Sequence, residues 1–137
     1  MLPLSKTWVA LGMIVLAMVE FWLAMKVFGK KPPSPKAKAL LKTHRVLGYV
    51  FLGYLVFLMI AGLRMVGFFA EAGASFDTRV MLHIILAMVV FVVLVFKILF
   101  IRAYRQYRPA VPALGIIVTG GSVLIWLVAG LMFLVIL

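Results

Sequence analysis

His44 and His83 are the only histidines in the chain, and cysteine is absent. Thiolate metal sites, a cysteine nucleophile and a disulfide framework are therefore excluded. Two imidazoles remain as the groups best able to bind a metal or move a proton near neutral pH. Glu20 and Lys97 join them, because each lies inside a long apolar run. An ionisable side chain inside lipid is expensive and marks a candidate functional position. Lys97 follows His83 by fourteen residues, which on a helix places it within about 40° of the same face and about 21 Å along the axis. Glu20 and Lys97 fall at similar distances from the ends of their runs. An intramembrane Glu20–Lys97 ion pair is expected, since pairing relieves much of the cost of burying each charge. The alternative is a protonated Glu20 in a proton path or quinone site. No nucleophile with its base, no metal cluster and no phosphate loop accompanies these residues, so a self-contained enzyme is not expected.

The elements that must position these groups are set by composition. Of 137 residues, 67% are hydrophobic and 12% charged, against about 25% charged in soluble domains. Four apolar blocks run over Trp8–Phe28, Val46–Phe69, Val80–Ile101 and Val111–Leu137. Each exceeds the roughly 20 helical residues that cross a bilayer core. Alternating barrel patterning is missing. The expected fold is all-α: one domain over 1–137, a four-helix transmembrane bundle with spans near 8–28, 44–69, 80–101 and 111–137. The first block reads as a retained span rather than a signal peptide, because it is long, holds Glu20 and leads into Lys and Pro. Ser34 with Pro35 is an expected start of the second helix, running over the surface through Lys36–Lys42 before entering near His44. Asp77 or Thr78 would cap the third helix, and Pro109 and Pro112 separate the third from the fourth. Eight glycines in or beside the later spans allow close helix approach.

Charge orients the bundle. The first connection carries Lys26, Lys30, Lys31, Lys36, Lys38, Lys42 and Arg45, and the third carries Arg102, Arg105 and Arg108. The second has Glu71, Asp77 and Arg79. The positive-inside rule puts the first and third connections in the cytoplasm and both termini outside. The expected location is the cytoplasmic (inner) membrane. The net charge of +11 beside apolar spans points to topology and anionic headgroups rather than to nucleic acid. The expected partners are the bilayer and either other membrane or periplasmic subunits or a second copy.

His44 enters the second span and His83 lies one turn into the third, near opposite surfaces and roughly 30 Å apart in depth. One iron cannot hold both. Each imidazole could ligate a haem b, one near each surface. Otherwise His44 is an interfacial side chain, and His83 is bonded to a backbone carbonyl. Met65 falls at about the depth of His83, so a His/Met axial pair is conceivable, and Arg64 can snorkel outward to Glu71, Asp77 or a propionate. Two stretches, His44-Arg45-Val46-Leu47-Gly48-Tyr49 and Arg79-Val80-Met81-Leu82-His83, resemble four-helix membrane cytochromes of the b561 type over residues 42–108. The resemblance implies a haem-holding bundle for transmembrane electron transfer. His44 and His83 would be axial ligands, with Arg45 and Arg79 as propionate neighbours. That family supplies two histidines per haem. Here the second ligand would come from Met65, Lys97, another subunit or the same histidine of a second copy. The expected function is therefore a haem b electron-transfer subunit, or else a haem-free anchor or scaffold subunit.

Overall fold

The computed structural model describes residues 3–28, 35–73, 75 and 77–131. In lipid the backbone has no water to bond, so spanning segments close their hydrogen bonds internally as helices. The chain does this four times. Helix α1 spans Pro3–Phe28, α2 Ala37–Glu71, α3 Thr78–Arg102 and α4 Val111–Trp126. A 3₁₀ turn, Arg105–Ala110, precedes α4, and a π turn, Leu127–Leu131, continues it. All four are long and apolar enough to cross a membrane. The protein is a four-helix transmembrane bundle and a multi-pass membrane protein.

The helix ends differ in detail from the sequence expectation. Helix α1 begins at Pro3 rather than Trp8, because the apolar block marks the lipid-buried part and not the helical limit. Ser34, with Lys30, Lys31, Pro32 and Pro33, lies outside the described residues, as do positions 132–137 of the expected fourth span. Lys36 takes the position before α2, without a side-chain cap. Asp77 holds the N-cap position of α3 in extended backbone but makes no capping bond. Its carboxylate lies 3.9 Å from Arg79 instead. Gly73 closes α2 with φ +68°, a left-handed conformation that glycine adopts without a Cβ clash. Pro109 lies inside the 3₁₀ turn and Pro112 is the second residue of α4. At 35 residues, α2 is about 52 Å long. That exceeds a bilayer core of about 30 Å, so its ends project past the hydrocarbon or the helix tilts.

Helix α1 packs on α2 and on α4, and α4 packs on α3, while α2 and α3 scarcely touch. The packing order is a chain, α2–α1–α4–α3, with little contact between its ends. Each helix turns one stripe inward. On α1 the buried stripe is Met13, Ala17, Glu20 and Leu23. On α2 it is Phe51 and Leu55, and His44 and Gly48 continue it at helical spacing toward the basic end. On α3, Val90 and Leu94 are buried; His83 and Lys97 extend that face in the two directions. On α4 the stripe is Val118, Ser122 and Ile125, with Gly115 one turn earlier. Lipid removes the hydrophobic drive between helices, so fit and polar contacts decide which faces meet. Among the described glycines, Gly121 is approached most closely, by Val90. A Cβ at that glycine would come 2.5 Å from Val90 Cγ2. Tyr54 adds a polar tie, its hydroxyl donating to the Val9 carbonyl across the α1–α2 seam.

Candidate functional site

The inward stripes carry the chemistry-bearing residues with them. Glu20 on α1 and His44 on α2 meet at the end of the bundle that holds the two basic connections. Nδ1 of His44 lies 2.8 Å from Oε2 of Glu20, with the two side chains 17% and 12% exposed. The approach is off the line of a formed hydrogen bond, since Nδ1 has no bonded partner by angle. It is an electrostatic contact at charge-assisted distance. The second oxygen, Oε1, is buried without a hydrogen-bond partner. Gly48 lies beside the carboxylate: a Cβ there would sit 3.7 Å from Oε2, in ordinary van der Waals contact.

Lys97 reaches the same region from α3. Its side chain lies across α4, where a Cβ on Gly115 would meet Nζ at 3.7 Å. Lys97 is five residues from the end of α3 and Gly115 four from the start of α4. The ammonium therefore stays near its own depth instead of snorkelling to the surface. Glu20 is the charge that acts on it. No described carboxylate oxygen lies within 4.0 Å of Lys97. The ion pair expected between Glu20 and Lys97 is thus replaced by a Glu20–His44 contact, with Lys97 as a third, more distant member. His44 takes the partner's place because its stripe position on α2 faces α1 directly, whereas α3 reaches α1 only across α4.

His83 lies at the opposite end, in the α3–α4 seam. Its ring faces the Ile125 main chain, while Nδ1 is buried without a hydrogen-bond partner. Nε1 of Trp126 is likewise buried and unpartnered. Among the other expected ligands and neighbours, Met65 and Arg45 are exposed on α2 and Arg79 is exposed beside Asp77. Arg102 stacks over the Tyr49 ring at 5.4 Å, one of the few ties across the α2–α3 seam. Lys26 lies 3.8 Å over Trp22.

A bis-histidine haem needs two imidazoles at one iron. Here they stand at opposite ends of helices that scarcely touch. The residues of one chain therefore do not fit such a haem. One detail does fit a metal-bound imidazole: a carboxylate at Nδ1 of His44 is the kind of second partner that orients a histidine ligand. Among the described residues no group of three or more His, Cys, Asp or Glu gathers as a metal site.

The Glu20–His44 contact was not anticipated from sequence. The only signals for it were Gly48, one turn beyond His44, and the small Ala17 one turn before Glu20. No curated protein and no solved structure matches the chain. A family model described as a family of unknown function matches residues 3–136, nearly the whole length, and the chain belongs to that family, DUF6529.

Proposed function

We propose that the protein is a membrane subunit that takes up and releases protons at the Glu20–His44 pair, with Lys97 setting the local charge. The observation that carries this is the 2.8 Å approach of an imidazole to a carboxylate inside the bundle. The pair shares one proton, as imidazolium with carboxylate or as neutral imidazole with carboxylic acid, and takes up a second from water to give imidazolium with carboxylic acid. His44 keeps some exposure and exchanges with water at the basic end. Glu20 is the inner store. Lys97 brings a positive charge near the pair, and α4 brings no ionisable group to it. Val90 packed against Gly121 fills the middle of the bundle with apolar atoms. This supports a site that loads from one side rather than a continuous path. The basic connections then lie in the cytoplasm and the termini outside, in the cytoplasmic membrane, as the positive-inside rule requires. A single small bundle without a soluble domain suits a role inside a larger assembly or a homodimer.

Infrared difference spectroscopy of the protein in lipid, titrated with pH, tests this. The expected result is a carboxylic acid band that grows as pH falls, is absent in Glu20→Gln and shifts its midpoint in His44→Gln. Absence of a Glu20 band across the range where the protein stays folded overturns the proposal.

A second reading, a haem b electron-transfer subunit, is favoured by the carboxylate at His44 Nδ1. It requires His44 from two copies on one iron, with α2 facing its counterpart. A b-type absorption spectrum at one haem per two chains, lost in His44→Ala, would establish it. A protein purified without a Soret band from haem-replete cells would end it.

A further inference from the structure

A groove of about 480 Å³ runs between α1 and α2. Val15 and Val19 of α1 and Leu47 and Val50 of α2 wall it, with Gly12 and Tyr54 at the end away from the basic connections. Val15 and Val50 are more than half exposed, so the groove opens toward the lipid. Helices meet in lipid through small residues or hydrogen bonds, and the groove presents neither to a partner. The Tyr54 hydroxyl already donates to the Val9 carbonyl. Gly12 faces Tyr54 of the same chain, whose oxygen would lie 3.5 Å from a Cβ there. A second copy in the same orientation would also set its basic end beside this one. A flexible acyl chain needs no polar contact and follows the shape of the walls. The groove leads to a cation. Lys26 follows Val19 by seven residues, which sets it within about 20° of the same face and about 10 Å further along α1. Its ammonium lies 3.8 Å over the Trp22 ring, one turn back toward the groove. Lys38, Lys42 and Arg45 add positive charge at this end from α2. Glu20, the one acid among the described residues there, faces His44.

We infer that the α1–α2 groove is a binding site for an anionic phospholipid. One acyl chain lies along Val15, Val19, Leu47 and Val50. The phosphate accepts from the Lys26 ammonium, which holds three donors, beside Trp22 at the membrane interface. The diffuse attraction of a basic surface for anionic lipid thereby becomes one site on one face. A zwitterionic lipid brings the same chain, but it carries a cationic group with its phosphate and gains less from Lys26. The site shares no residue with the Glu20–His44 pair and stands whether or not that pair titrates.

Photolabelling of the full chain in phosphatidylcholine vesicles tests the inference. The probes are phosphatidylglycerol and phosphatidylcholine, each with a diazirine midway along one acyl chain, and labelled residues are mapped by mass spectrometry. The phosphatidylglycerol probe should label residues 12–19 and 47–54 more strongly than the phosphatidylcholine probe, and unlabelled phosphatidylglycerol should compete. Lys26→Gln should lower that preference roughly fivefold, matching about 1 kcal/mol per cation at an anionic surface. Lys26→Arg should retain it. Arg105→Gln, which removes a cation at the same end but off the groove, should leave it unchanged. Val50→Trp, which fills the groove and leaves every charge, should lower groove labelling by both probes. Equal labelling by the two probes overturns the inference. So does an equal loss in Lys26→Gln and Arg105→Gln, which would mark surface charge alone. Protection of the groove from both probes, with disulfide crosslinks between copies of a Val15→Cys chain, would overturn it too and assign the groove to a second copy.

Discussion

A carboxylate within a lipid-embedded bundle must be neutralised, paired or solvated, and Glu20 shows two of these needs at once. One oxygen meets His44, and the other meets nothing among the described residues. Removing the imidazole leaves an unpaired buried charge. His44→Ala should therefore destabilise the bundle by about 1–3 kcal/mol, the usual cost of leaving a buried partner unsatisfied. Glu20→Gln, which removes the charge itself, should cost less. The double variant should cost less than the sum of the two, because the residues act on each other. Unfolding by denaturant in mixed micelles would measure the cycle. The residue types were legible in the sequence; their pairing was not. Glu20 has two candidate cations at comparable depth, and depth along a helix axis carries no information about which neighbour a face turns toward.

At the scale of the helices, hydropathy does not reveal the faces, because α1, α3 and α4 are apolar almost all round. The packed faces carry small or polar residues among larger apolar ones: Ala17 and Glu20 are buried on α1 and Ser122 on α4, with Gly48, Gly115 and Gly121 half-buried. The fourteen-residue spacing of His83 and Lys97 was legible as a shared face. That face does bear Val90 and Leu94, but the two ends serve different surroundings, the Ile125 main chain and the Glu20 region. Gly121 is the sharpest test of helix-level packing. Gly121→Ala puts a methyl 2.5 Å from Val90 Cγ2, so Val90 or the helices that carry the two residues must shift. The expected cost is about 1–3 kcal/mol, as for other overpacked interiors. Val90→Ala in the same chain should recover much of it by vacating the contested space. Tyr54→Phe probes the α1–α2 seam through one hydrogen bond and should cost about 0.5–1.5 kcal/mol. Thermal unfolding in one detergent would rank the three variants.

For the whole molecule, number and length of spans were legible because the bilayer thickness fixes them. The chain-like packing order was not. Consecutive spans α2 and α3 are joined by a short connection, yet they scarcely touch. Arg102 over Tyr49 is a contact between long side chains at one end, not a packed interface. Orientation rests on charge alone and is the property most open to a decisive measurement. Arg105 and Arg108 sit in the turn before α4, whereas the α2–α3 connection has Asp77 beside Arg79. Moving arginines across the membrane is costly. The proposed orientation, with the basic turn in the cytoplasm, should therefore withstand a single change beside that turn. Single cysteines in a chain that has none make the readout clean. Ser75→Cys should react with a membrane-impermeant maleimide in intact spheroplasts. Gln106→Cys should react only after the membrane is opened. The reverse pattern would invert the bundle and place the Glu20–His44 pair near the outer surface, so that its protons would exchange with the periplasm instead of the cytoplasm. Reaction of both positions from one side would contradict the crossing by α3 itself.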